Sequence, residues 1–308
     1  MNAEWLDRFH QGDEACPECG TDCLVQKRPD YWAAQDDPSY DDSKVRNTYW
    51  YHTSVHADWP DRAFDPIARL TDRTKQRIQR TSSDGRALER WAEGQMTKAL
   101  HLGTYEAAIE NMLRRMSDQD SADDQFYLYR VRLSSNAAIE PGVHKETTNL
   151  VGDVQITEVC APGVNTFRYV NTYEDPSSIS LAVTLHAIQA VQSIPVPLPV
   201  DAAHPWVCAA SARLLQAASL PAPQPETALE SMRRYMPSAL SDEARKLEEE
   251  VVDMLPLGLR RRLHSLFDDA SLTTDPSAFP SKLIGLAQLV RDPSAALNLL
   301  DAEPWREV

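Results

Sequence analysis

Glycine is the scarcest structural resource of this chain. There are 10 among 308 residues, roughly half the usual share. Folds that cradle phosphates on a glycine-rich turn need several glycines at fixed spacing, and neither a GxGxxG nor a GxxxxGK[ST] string occurs. Dinucleotide-binding doubly wound folds and P-loop folds are therefore excluded on their own signatures. Proline is abundant by contrast, at 21 residues. Pro195, Pro197 and Pro199 in PVPLPV block both a helix and a central strand, so this stretch is expected to be an extended hinge or edge.

The chain is otherwise globular in make-up, with 42% hydrophobic and 25% charged residues, and long enough to bury a core. Lys and Arg total 31 against 46 Asp and Glu, giving 31 − 46 = −15. Such acidity argues against a general nucleic-acid coat, which requires basic surface. No apolar run of about 18 residues is present, and the start, MNAEWLDRFHQGDEA, lacks the basic and apolar regions of a signal peptide. A cytoplasmic protein with no membrane partner is the expectation.

Four stretches differ in character: 1–45 with clustered cysteines, 46–192 with mixed strand and helix patterns, 193–226 rich in proline around an apolar helix, and 227–308 helical. Strands are expected over 47–53, 98–103, 126–133, 154–159, 165–170 and 178–183. Helices are expected over 68–80 and 86–96, and a third begins at Thr104 or Gly103 with Ala108, Ile109, Met112, Leu113 and Met116 on its apolar face. This is an α+β pattern with a mixed sheet, without regular βαβ alternation.

Cys16-Pro-Glu-Cys19-Gly has the form of a zinc knuckle, with Cys23 as a third thiolate. His10 is the nearest candidate for the fourth ligand, and His52, His56, Cys160 and Cys208 are others. Three thiolates favour a structural zinc that pins the N-terminal segment. The plainer reading leaves Cys23 facing a core and the thiols free.

Two further segments carry chemistry. In Tyr49-Trp50-Tyr51-His52-Thr53-Ser54 an aromatic strand ends on a histidine, and in His101-Leu102-Gly103-Thr104-Tyr105-Glu106 a short strand feeds a helix. In Tyr169-Val-Asn-Thr-Tyr-Glu174-Asp-Pro-Ser-Ser-Ile-Ser-Leu a glutamate precedes a late strand. These three segments, in this order over about 46–192, resemble the motifs of the ADP-ribosyltransferase superfamily, which includes diphtheria-toxin-like enzymes, poly(ADP-ribose) polymerases and RNA 2′-phosphotransferases. Thr53 stands where that superfamily usually has glycine after the first histidine. A competing alignment takes His101-Leu-Gly-Thr as the first motif.

The resemblance implies NAD as substrate and a macromolecular acceptor, protein or nucleic acid, as in toxins of this kind. It implies Glu174 as the carboxylate that stabilises an oxocarbenium-like transition state, with His52 on the adenosine ribose. Thr53 and Ser54 would meet the nicotinamide amide, and Tyr105 or His101 would hold the nicotinamide side. The C-terminal helices would serve a protein partner. Taken singly these residues have plainer uses: a strand-end histidine is commonly structural, Trp50, Tyr51 and Trp59 are core-like, and Asp175-Pro176 is turn chemistry. The basic run Arg69, Arg73, Lys75, Arg77 and Arg80 is a solvated face or a local anion site. His52 and His56 would chelate a metal on a helix but not readily on a strand. The alternatives are a non-enzymatic, zinc-stapled interaction protein and an RNA 2′-phosphotransferase-like enzyme, the latter favoured by His101.

Overall fold

The protein is described from a computed structural model. It covers residues 38–68, 70–81, 85–118, 124–146, 154–171, 178–201, 203–221, 238–253, 255, 263, 272 and 275–308. Among the described residues the chain is mixed α+β, with one eight-stranded mixed sheet and eight α-helices.

The strands are β1 (Trp50–Ser54), β2 (Leu100–Gly103), β3 (Phe126–Leu133), β4 (His144–Lys145), β5 (Thr166–Val170), β6 (Ile179–Val183), β7 (Ile188–Val196) and β8 (Arg306–Glu307). Their spatial order is β4-β5-β6-β2-β1-β3-β7-β8. The β4–β5 pair is parallel; β5–β6, β6–β2, β2–β1 and β7–β8 are antiparallel. The helices are α1 (Asp72–Gln79), α2 (Ala87–Thr97), α3 (Tyr105–Asp118), α4 (Ile156–Val159), α5 (Pro205–Ala218), α6 (Ala239–Val252), α7 (Phe279–Arg291) and α8 (Pro293–Ala302). None of them is long and apolar enough to cross a membrane.

Local chemistry explains most of these elements. Thr71 caps α1 by accepting from the Thr74 amide, and the Thr104 hydroxyl accepts from the Ala107 amide at the start of α3. The aromatic and β-branched run FYLYRVRL forms β3 over the expected bounds. One expected strand is corrected. Only Gln155 forms a bridge, to Lys98, and Ile156–Val159 is a helical turn held by a capping box between Gln155 and Glu158. The apolar alternation there is still used, since Val154 and Ile156 are buried beside Ala99, Phe167, Tyr169 and Ala182.

The described parts of 38–108, 129–192 and 304–308 form one compact unit, and those of 109–128 and 193–303 form a second. The expected boundary at 192 therefore falls inside β7. Residues 304–308 belong with the sheet unit rather than with the C-terminal helices, because β8 pairs with β7 at Ala190 and Val191. Pro195 lies beyond the reach of β8, on a stretch of β7 where its missing N–H breaks no β7–β8 hydrogen bond. In the second unit α5, α6 and α7 pack on one another and α8 packs on α7. They bury Leu214, Leu247, Leu283, Leu286 and Leu300. Arg213 ties α5 to α6 through Glu243 (2.6 Å) and Glu250 (2.8 Å).

In the sheet unit, Trp50 is fully buried and donates from its indole to the Val45 carbonyl (3.0 Å). Arg168 is also fully buried, and its guanidinium is satisfied by Ser39 O (2.8 Å), Gly142 O (3.2 Å) and the Asp42 carboxylate.

Candidate functional site

Registers across the sheet assign the expected site residues His52 and His101 to faces. Tyr51 pairs with Gly103, Gly103 with Ser180, Ser180 with Tyr169, and Tyr169 with His144. Paired residues share a face, so these five make one row across β1, β2, β6, β5 and β4. His101, Ala182 and Phe167 form the neighbouring row on the same face. His52 and Leu102 alternate with these positions and belong to the opposite face, in the row that continues through Leu181 to Arg168.

The first turn of α3 covers the row at Gly103. A Cβ on Gly103 would stand 2.9 Å from the Ala107 Cβ and 3.2 Å from the Ser180 hydroxyl, so glycine is what lets helix and strand approach this closely. Tyr105, at the head of α3, meets Tyr51 edge to face with ring centroids 5.5 Å apart. The Thr53 hydroxyl donates to the Ala108 carbonyl (3.2 Å) and is buried. Ser54 accepts from the His56 amide (3.1 Å) and is buried too. Both hydroxyls expected to meet a nicotinamide amide are thus engaged within the protein.

Beside Gly103 lies a buried polar cluster. His101 Nδ1 and the Tyr169 hydroxyl are 3.0 Å apart. Asn171 donates from Nδ2 to both Ser178 Oγ (3.0 Å) and Ser180 Oγ (2.6 Å), and its amide donates to the Ser178 carbonyl (2.9 Å). Two atoms of this cluster, His101 Nε2 and Asn171 Oδ1, are buried without a hydrogen-bond partner. Each such orphan costs about 1–3 kcal/mol, and a ligand that supplied the missing partners would recover it. Burial pushes the His101 imidazole down to about 4, so the ring is neutral at physiological pH and offers one donor and one acceptor.

The sheet brings His101 and Tyr105 to the same face and sets His52 on the other. His52 stacks on Trp59, with centroids 4.0 Å apart and planes 19° from parallel. Glu174 lies outside the described residues, but Asn171 and Ser178, which flank its tract, are hydrogen-bonded to each other next to the Tyr169–Ser180–Gly103 row. His10, Cys16, Cys19 and Cys23 also lie outside the described residues. Among the described ones, no group of three or more His, Cys, Asp or Glu side chains could hold a metal ion.

Sequence reasoning missed Asn171 and Tyr169. The signal for Asn171 was its spacing to Ser178 and Ser180, which face it only once β5 and β6 pair in this register. No known protein family, curated protein or solved structure matches the chain.

Proposed function

We propose that this chain is an NAD-dependent ADP-ribosyltransferase acting on a macromolecular acceptor. The observation that supports this reading is the hydrogen bonding between the two residues that flank the Glu174 tract. Asn171 and Ser178 bond to each other next to the row that passes through Tyr169, Ser180 and Gly103, and at Gly103 the Thr104–Tyr105 turn opens α3. Asn171 and Ser178, which flank the segment carrying Glu174, are thus held at the edge of the neutral, half-satisfied His101 cluster.

In this reading Tyr105 and His101 border the nicotinamide side, and Asn171 positions the tract. Glu174 stabilises positive charge on the ribose as the C1′–N bond breaks and its electron pair leaves with nicotinamide. The acceptor's nucleophilic atom then forms the new bond to C1′ and loses its proton to solvent. His52 acts through the main chain of β2 rather than on the ribose. A zinc knuckle of Cys16, Cys19, Cys23 and His10, an ADP-ribosyltransferase-like sheet domain and a C-terminal helical domain that meets a protein partner complete the proposal.

The test is incubation with labelled NAD and a cell lysate, with free nicotinamide measured alongside. Wild type should transfer label, and Glu174→Ala should lose about 100-fold or more in rate, the scale of removing one electrostatic stabiliser. Full activity in Glu174→Ala would overturn the residue assignment. No transfer and no nicotinamide release by wild type would favour a non-enzymatic interaction protein.

A further inference from the structure

We propose that Tyr49, Arg130, Arg132 and Trp305 form a binding site for a nucleotide, with the phosphate on Arg132 and the base against Tyr49. The register of β7 and β8 pairs Ala190 with Glu307 and Val191 with Arg306, which brings Trp305 opposite Gln192. Arg130, on β3, donates from Nε (2.9 Å) and Nη2 (2.6 Å) to the Gln192 side-chain oxygen. Its guanidinium lies over the Tyr49 ring at 5.0 Å and over the Trp305 ring at 5.7 Å, and those two rings are 5.6 Å apart. Arg132, two residues along the same face of β3, lies over Trp305 at 4.6 Å.

The composition of this face is what needs explaining. On the opposite face β3 buries Tyr129, Val131 and Leu133. Here the same strand and its neighbour present Arg130, Arg132 and Gln192, residues that add nothing to an apolar layer. Arg132 is the incomplete member. Its Nε is buried without a hydrogen-bond partner, and its ion pair with Glu307 is 3.9 Å long, too far for a hydrogen bond. The Arg132 side chain is 38% exposed, so a planar guanidinium fixed by stacking on Trp305 presents its outer N–H donors to the oxygens of a phosphate.

Tyr49 supplies the second half of the recognition. It is 47% exposed, unusual for a large aromatic residue next to buried arginine, and its ring offers a surface on which a base can stack. The Trp305 ring, 5.6 Å from Tyr49 and under the Arg132 guanidinium, joins the base site to the phosphate site. The chain's charge of −15 opposes a long polyanion, so a free nucleotide is favoured over a nucleic-acid strand.

This site does not depend on the transferase reading, and direct binding to the full chain separates the two. ADP, adenosine and a short single-stranded RNA are titrated at low salt. ADP should bind, and Arg132→Ala should weaken it by about tenfold or more, the loss of a charge-assisted pair. Arg132→Lys should weaken it as well, because a point charge cannot replace the fork. Glu307→Gln should tighten it by removing a competing carboxylate from an exposed position. Adenosine should bind more weakly than ADP and ignore Arg132→Ala, while Tyr49→Ala should weaken both. ADP binding kept in Glu174→Ala, with or without transfer, supports this site independently. Failure of wild type to bind ADP, ADP binding indifferent to Arg132→Ala and Tyr49→Ala, or RNA binding without ADP binding would each overturn it.

Discussion

His52 Nδ1 donates a 2.8 Å hydrogen bond to the main-chain oxygen of His101. A carbonyl cannot donate, so in the neutral ring of His52 the proton sits on Nδ1 and Nε2 is the acceptor. This bond ties β1 to β2 from the face opposite the His101 ring, and the stacked Trp59 holds the imidazole in place. Removing the imidazole should therefore act on stability first. His52→Ala is expected to cost about 1 kcal/mol, since it removes a partly buried hydrogen bond between β1 and β2. His52→Phe keeps the stack on Trp59 and should cost less. Urea unfolding measures both. Loss of NAD cleavage in His52→Ala at unchanged stability would place His52 on the substrate instead.

The His101 imidazole gives a second expectation, in pH. Burial holds its folded-state value at about 4, below the 6.5 of a free histidine. Between these values the unfolded chain binds a proton that the folded one refuses, so acid favours unfolding. Stability should fall as pH drops from about 6.5 towards 4, by up to about 1.4 kcal/mol per pH unit. His101→Gln should flatten that slope. Chemical unfolding at a series of pH values checks this, and an equal slope in the variant would assign the effect to another group.

Glu248 on α6 has the opposite sign. Burial, reinforced by the neighbouring Glu249, raises its carboxyl to about 8. The folded chain then keeps a proton that the unfolded chain releases above about 4.5, so this contribution is present at low pH and is lost as pH rises towards 8. Glu248→Gln mimics the protonated form and should raise the melting temperature at pH 8 more than at pH 5. An equal shift at both values would mean that Glu248 is charged in the folded state.

Much of the sheet unit was legible because its signals are local. The FYLYRVRL run, the Thr104 cap and the period of α3 each declare an element within a dozen residues. What could not be read was set by pairing. The face assignment that separates His52 from His101 depends on which residue of β1 meets Gly103, and no local pattern encodes that register. Val154 and Ile156 alternate as a strand would, yet a capping box turns the chain into a helical turn while both side chains still reach the core. The two-residue β8 is too short to show a period, and Trp305 gains meaning only beside Arg130 and Arg132.

Two helix glycines should respond to alanine with opposite signs. Replacing glycine by alanine inside a helix ordinarily stabilises by up to about 1 kcal/mol, because the unfolded chain loses freedom and helix propensity rises. Gly94, in α2, has open space where a Cβ would stand, so Gly94→Ala should follow that rule. Gly285, in α7, does not have that space. A Cβ there would lie 2.4 Å from the Leu198 carbonyl oxygen, 3.1 Å from the Leu198 nitrogen and 2.9 Å from the Pro197 Cβ. Two of these three atoms are backbone, and the Leu198 amide donates to the Gly285 carbonyl at 3.4 Å, so the segment cannot yield without losing that contact. Overpacking of this kind costs about 1–3 kcal/mol, which exceeds the propensity gain. Gly285→Ala should therefore lower the melting temperature while Gly94→Ala raises it, and a stabilised Gly285→Ala would show that Leu198 does not lie against α7.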